Sequence, residues 1–179
     1  HTGVMLGSRV FQPGGTIRQH ADGVAMGPSD RVSVYDTATD VWRRLSPMPS
    51  PRTGHCAIAL DARRVLALGG ETKQPDFATG PRTWLHGGGA LYDTETDRWT
   101  GATSAMPTPV TMPSCVRLAD GRVAVLGGRT TLPGASVVWS ELRTVQIYDP
   151  RTNAWSTGPS YPAVMPMGAI LERGYRFEH

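Results

Sequence analysis

Long hydrophobic runs are missing from this 179-residue chain, and with them any stretch that reads as a membrane-spanning helix or a secretory leader. Charge is also scarce, with charged side chains at 18% and a formal net charge of +3 from 18 basic and 15 acidic residues. Basic residues never cluster beyond two in a row, and no recognition-helix pattern accompanies them. The electrostatic footprint of a nucleic-acid binder is therefore absent, so neither nucleic acid nor a membrane is expected as a partner. The sequence holds no Gly-x-Ser-x-Gly elbow, phosphate loop, His-Glu-x-x-His or Cys-x-x-Cys. Its five histidines, His1, His20, His55, His86 and His179, are far apart in sequence. No catalytic residue, metal ligand or cofactor is assigned from the sequence, and an enzymatic role is the less favoured reading.

What the chain does have is glycine (21) and proline (15), the punctuation of short strands and turns. It also has repetition. Tyr35-Asp-Thr-Ala-Thr-Asp-Val-Trp42 returns as Tyr92-Asp-Thr-Glu-Thr-Asp-Arg-Trp99 and as Tyr148-Asp-Pro-Arg-Thr-Asn-Ala-Trp155, with the tyrosines 57 and then 56 residues apart. One structural unit has been copied. An apolar run ending in a glycine pair, Val65-Leu-Ala-Leu-Gly69-Gly70, recurs as Val123-Ala-Val-Leu-Gly127-Gly128, and Val4-Met-Leu-Gly7-Ser8 reads as a degraded copy. Proline-rich steps, Met48-Pro49-Ser-Pro51-Arg52, Met106-Pro107-Thr-Pro109 and Tyr161-Pro162, follow the tryptophans.

Each unit reads as four short strands, a to d, counted from the proline-rich step. Strand b is a continuous apolar run, as expected when both faces of a sheet are covered. The Tyr-Asp phrase is a hairpin connection. Asp36 can accept backbone N–H groups of the turn it opens, and Asp40 or Asn153 tolerates a left-handed conformation that reverses the chain. A single such sheet cannot bury its own faces, so stacking on a neighbouring copy is the expected source of stability, with the tryptophans filling gaps between sheets.

Glycine pair, variable loop, Tyr-Asp-x-x-Thr-x-x-Trp and Met-Pro-x-Pro-Arg together resemble the kelch repeat, and the resemblance covers nearly the whole chain outside the long loops. It implies an all-β fold of kelch-type β-propeller blades, each of four antiparallel strands with strand a innermost and strand d outermost. Three blades are expected in one segment, 1–179, forming an incomplete ring. The reading places strands b, c and d of the first blade at 2–46, the second blade at 52–102 and the third at 110–157. It places a C-terminal strand a, at 165–173, where it completes the first sheet. Three blades fall short of the usual 4–8. Other blades from the same longer protein, or a second copy exchanging strand a, are the two ways to finish the ring.

Cys56 and Cys115 fall in strand a of successive units, offset by one residue when Leu60 and Leu118 are aligned. The offset turns their side chains to opposite faces. Two buried free thiols are expected from this, which points mildly to a reducing compartment while leaving the location unknown.

The inserts between strands b and c, at 9–30, 71–88 and 129–142, should share one rim with the proline-rich steps. Variable loops on a rigid scaffold are where binding resides. Arg9 and Arg129 after the glycine pairs, Arg52 before strand a, and Trp84, His86 and Trp139 in the inserts are the candidate ligand-binding residues. An aromatic face beside a planar cation can hold a sugar ring, a peptide or a carboxylate. The expected function is a binding scaffold presenting these loops to a protein, peptide or glycan. The alternative is part of a carbohydrate-active propeller enzyme, an oxidase resembling galactose oxidase or a sugar epimerase, completed by further blades. The Tyr-His dipeptide of those oxidases is absent here. His55, at the start of strand a, is expected to be structural.

Overall fold

The computed structural model describes residues 2–18, 26–74, 82–131 and 139–160. Within them the chain is all strand and turn. The first unit runs β1 (Val4–Leu6), β2 (Arg9–Pro13), β3 (Thr16–Arg18), β4 (Met26–Pro28), β5 (Val32–Asp36) and β6 (Val41–Leu45). The second runs β7 (Cys56–Ala59), β8 (Arg64–Leu68), β9 (Glu71–Gln74), β10 (Arg82–Leu85), β11 (Gly89–Asp93) and β12 (Arg98–Ala102). The third runs β13 (Ser114–Arg117), β14 (Val123–Leu126), β15 (Arg129–Thr131), β16 (Trp139–Glu141), β17 (Thr144–Asp149) and β18 (Ala154–Ser160).

Three four-stranded antiparallel sheets result, ordered β1-β2-β5-β6, β7-β8-β11-β12 and β13-β14-β17-β18. The inserts form the hairpins β3-β4, β9-β10 and β15-β16, structure that reading them as loops missed. The first strands of adjacent sheets meet, β1 with β7 and β7 with β13, so strand a lies innermost as the sheets fan around a common axis.

The Asx turns form as the sequence predicts. Asp36 accepts from the Ala38 N–H (3.0 Å), Asp93 from Glu95 (3.0 Å) and Asp149 from Arg151 (2.9 Å). Asp40, Asp97 and Asn153 take φ values of 57°, 51° and 51°, the left-handed geometry that Asp and Asn tolerate best after glycine. The side-chain oxygen of each then accepts from the hydroxyl of its own unit's tyrosine: Tyr35, Tyr92 and Tyr148.

Strand β8 explains the core. Its alternate side chains divide between two clusters: Val65 and Ala67 join Val4, Phe11, Val32, Met48 and Tyr92. Leu66 and Leu68 join Cys56, Val110, Val123, Val125 and Tyr148. The period-2 geometry of a strand thus turns one apolar run into the wall of two inter-sheet cores. Phe11, Tyr92 and Trp99 stack at centroid distances of 4.8 and 5.1 Å, each such pair worth about 0.5–1.5 kcal/mol beyond its buried area.

Three expectations are corrected. The first sheet is complete in itself, because Val4–Leu6 is its strand a and Arg9–Pro13 its strand b. Its glycine pair is Gly14-Gly15, at φ 58° and 100°, matching Gly69-Gly70 (63° and 88°) and Gly127-Gly128 (62° and 84°). Gly7-Ser8 is the β1–β2 turn, and the first insert begins after residue 15, not at residue 9. No C-terminal strand is needed to finish this sheet; the 165–173 segment lies outside the described residues.

Second, Cys56 and Cys115 form a disulfide with Cα atoms 5.9 Å apart. The one-residue offset does turn them to opposite faces, but each belongs to a different sheet. A side chain on the forward face of β7 and one on the backward face of β13 meet in the gap between sheets. Third, Trp42 fills no gap among the described residues: it is 57% exposed, with no described sheet preceding its own.

Candidate functional site

The b–c inserts and the d–a links converge on one face. Thr53 and Glu71 exchange backbone hydrogen bonds of 3.0 and 2.8 Å, and Thr111 and Arg129 do the same at 2.8 Å. Ser29 bridges to Arg52. Glycine pairs make this convergence possible, since a Cβ on Gly14 would come within 2.8 Å of the Arg52 carbonyl oxygen. One on Gly128 would come within 2.5 Å of the Thr111 carbonyl oxygen.

On this face lies a recess of about 310 Å³ lined by Arg52, His86, glycines 87–89, Thr103 and Ala105. Arg52 comes from the d–a link and is buried, with only 4% of it exposed. Its Nη1 donates to the Gly69 carbonyl (3.1 Å) and Nη2 to Ser50 Oγ (3.2 Å), while Nε has no partner. No carboxylate pairs with it among the described residues. Burial lowers its pKa to about 10, so the guanidinium stays charged at neutral pH.

His86 leaves β10 and is fixed at both levels. Its backbone N–H donates to Gly70 O (2.9 Å), and its ring Nε2 lies 3.2 Å from the Pro51 carbonyl, an arrangement that suits an Nε2–H donor. Burial, then the Arg52 charge, hold its pKa near 4, so the ring is neutral. Thr103 closes the far wall, its hydroxyl accepting from Gly89 N–H (2.8 Å) and donating to Ser104 O (2.9 Å).

His55 sits behind the recess, buried at 7% exposure against the backbone openings left by Gly14 and Gly70. Burial, then the Arg52 charge, depress its pKa to about 4. The Pro13 carbonyl pulls the other way, yet neither ring nitrogen completes a hydrogen bond. The folded-state value lies below the ordinary 6.5, so the unfolded chain binds the extra proton between about pH 6.5 and 4. Stability attributable to His55 is full above that window and falls on acidification through it, by on the order of 3 kcal/mol near pH 4. Denaturant titrations at pH 7 and pH 4.5 should show a steep acid loss that His55→Asn flattens, whatever that variant costs at pH 7. An unchanged acid slope in the variant would refute the assignment.

The other expected site residues divide. Trp84 stands 53% exposed on β10. Arg129 stacks its guanidinium over Trp139 at 5.1 Å across the β15-β16 hairpin and reaches Met112 Sδ at 3.1 Å, a contact that folds the insert onto itself. Arg9 is misplaced by the sequence reading. It starts β2 at the opposite end of the sheet, where it pairs with Asp36 at 3.4 Å and borders a smaller cleft. Its structural equivalent is Arg64, which stands opposite Asp93 in the same register. The glycine run 87–89 was passed over. Three consecutive glycines beside a histidine were the legible signal of a backbone-lined recess.

Comparison with known proteins agrees with this architecture. A kelch-motif family model matches residues 114–160. Kelch-like protein terF of Aspergillus terreus is 27% identical over 171 residues, covering 91% of this chain and 34% of its own. Kelch-like protein 36 of Mus musculus is 28% identical over 163 residues, covering 90% of this chain and 24% of its own. The chain thus spans about a third or less of these relatives. A solved structure titled "Structure of YjhT" superposes with a TM-score of 0.67 at 18% identity, over 90% of this chain and 51% of that one, a likeness of fold. Repeated phrase, sheet order and these matches converge: the chain is built of kelch repeats, and its three four-stranded sheets are blades of an incomplete kelch-type β-propeller.

Proposed function

We propose that this propeller segment is a binding scaffold whose loop face holds an acidic segment of a protein partner, with a partner carboxylate at the Arg52–His86 recess. The observation that carries the reading is the Arg52 guanidinium: charged, buried, and without a carboxylate partner among the described residues. Burying an unpaired cation is costly, and an incoming anion relieves that cost while gaining a charge-assisted hydrogen bond. Glycines 87–89 leave their stretch of the recess lining free of side chains. Trp84, exposed on the neighbouring hairpin, offers an aromatic surface to the flanking residues of the same segment.

Immobilised acidic peptides and charge-neutral counterparts, alongside a neutral glycan array, test this. The acidic peptides should be retained, with retention falling as salt rises. Arg52→Lys, which keeps the charge but loses the planar fork, should weaken retention about tenfold, consistent with a charged hydrogen bond worth some 1.5–3 kcal/mol. Trp84→Ala, on an exposed side chain, should weaken it without altering the thermal midpoint. Retention of neutral glycans in preference to acidic peptides would overturn the proposal, as would acidic-peptide binding indifferent to both substitutions.

A further inference from the structure

His86 meets the recess with one ring nitrogen spent and the other free. Nε2 lies 3.2 Å from the Pro51 carbonyl, and with Nε2–H donating there, Nδ1 is the nitrogen left unprotonated. Nδ1 has no hydrogen-bond partner among the described residues, and unlike both ring nitrogens of His55 it is not shut away from solvent. Arg52 follows Pro51 directly, so the same hydrogen bond ties the ring to the link that carries the guanidinium, and both side chains line one recess.

A second cation is poorly tolerated in that space. An imidazolium beside a guanidinium is opposed by desolvation and by like-charge repulsion, and burial first, then the Arg52 charge, hold the ring near pKa 4 in the chain alone. The other elements around the ring supply no opposing charge. His55, leading into β7, is neutral; Thr103 and Ala105 on the opposite wall do not ionise; and Glu71 on β9 stands opposite Leu85, without an ion pair to Arg52 or His86 among the described residues. A carboxylate reverses the repulsion. It brings two acceptor oxygens, so Arg52 can donate to one while a protonated Nδ1 donates to the other.

We infer, resting on the loop-face reading above, that the recess takes up a proton together with its anion: a partner carboxylate on Arg52 draws a proton from solvent onto Nδ1 of His86, so the loop face grips an acidic segment more tightly as the medium acidifies. The sign follows from linkage, since a group that holds its proton more firmly in the complex makes binding stronger as pH falls. If the bound carboxylate returns the ring to the ordinary value of about 6.5, affinity rises about tenfold between pH 7.5 and pH 5.5. His55 stays neutral throughout, because it is sealed against the backbone at Gly14 and Gly70 and its burial is unchanged by an anion in the recess.

Terminally capped, aspartate-rich peptides test this at constant ionic strength, since aspartate stays ionised above about pH 5.5. Their dissociation constant should fall about tenfold from pH 7.5 to pH 5.5, and calorimetry at pH 6 in buffers of different ionisation enthalpy should register uptake of on the order of 0.7 proton per peptide. His86→Gln, whose amide can still donate to the Pro51 carbonyl but takes no proton, should bring the ratio between the two pH values below about twofold and abolish the uptake, whatever its affinity at pH 7.5. His55→Asn should keep the ratio. Binding that depends on Arg52 but is flat with pH would overturn the proton coupling and leave the loop-face reading standing. A ratio retained in His86→Gln, or lost in His55→Asn instead, would overturn it as well. Absence of peptide binding at every pH would overturn both.

Discussion

Reduction of the Cys56–Cys115 disulfide should lower the thermal midpoint of this protein by roughly 8–16 °C. The bond closes a sequence separation of 59 residues between the inner strands β7 and β13. Releasing a loop of that length returns about 4 kcal/mol of conformational entropy to the unfolded chain. For a protein of this size each kcal/mol shifts the midpoint by about 2–4 °C. The consequence is local in origin and global in effect, since the bridge spans the seam whose core contains Leu66, Leu68, Val123 and Val125. Scanning calorimetry with and without reductant, beside the Cys56→Ser/Cys115→Ser double variant, measures it directly. Equal midpoints, together with two titratable thiols in the unreduced unfolded protein, would show that the bond is not formed.

Gly70→Ala should destabilise the protein by about 2–5 kcal/mol, roughly twice the cost of Gly121→Ala. Both glycines have positive φ, 88° and 90°, so both substitutions carry a backbone penalty of about 1–2 kcal/mol. Their surroundings differ. A Cβ at Gly121 meets only the far end of Arg117, at 4.0 Å. At Gly70 it would lie 2.7 Å from the Thr53 carbonyl oxygen and 2.8 Å from His55 Cβ. Neither neighbour can retreat, because Thr53 is locked to Glu71 by paired backbone bonds and His55 is buried. Overpacking of this kind adds about 1–3 kcal/mol. Equal losses for the two variants in denaturant unfolding would contradict the close approach at Gly70.

The same glycine pairs show how far a sequence reading carries. Gly69-Gly70 and Gly127-Gly128 were legible because each ends an apolar strand b. Gly14-Gly15 was not, because its strand, Arg9-Val-Phe-Gln-Pro13, breaks the apolar run. The first blade flanks only one described neighbour, so only Phe11 and Pro13 on its inner face need be buried, while Gln12 and Val10 face the other way. An end blade therefore loses half of the pattern by which inner blades are recognised. Arg9 was misplaced for the same reason, since its assignment to the rim rested on Gly7-Ser8 being the glycine pair. The recess was half legible: Arg52 and His86 were candidates, but their meeting depends on a link and an insert more than thirty residues apart in sequence, and so on sheet geometry.

By itself the sequence determined the unit and its local chemistry. The Tyr-Asp phrase specifies a turn through short-range hydrogen bonds and a left-handed Asp or Asn, and β8 announces two covered faces by its unbroken apolar run. These are properties of neighbouring residues, set by backbone sterics and side-chain period. Tertiary structure decided what depends on neighbouring blades: which strand opens the first sheet, that Cys56 and Cys115 meet, that Arg52 is buried beside His86, and that Trp42 stands open where Trp99 and Trp155 are engaged. Near-copies of one phrase differ in burial because burial is a property of the gap between two sheets, and Trp42 has no described sheet across its gap.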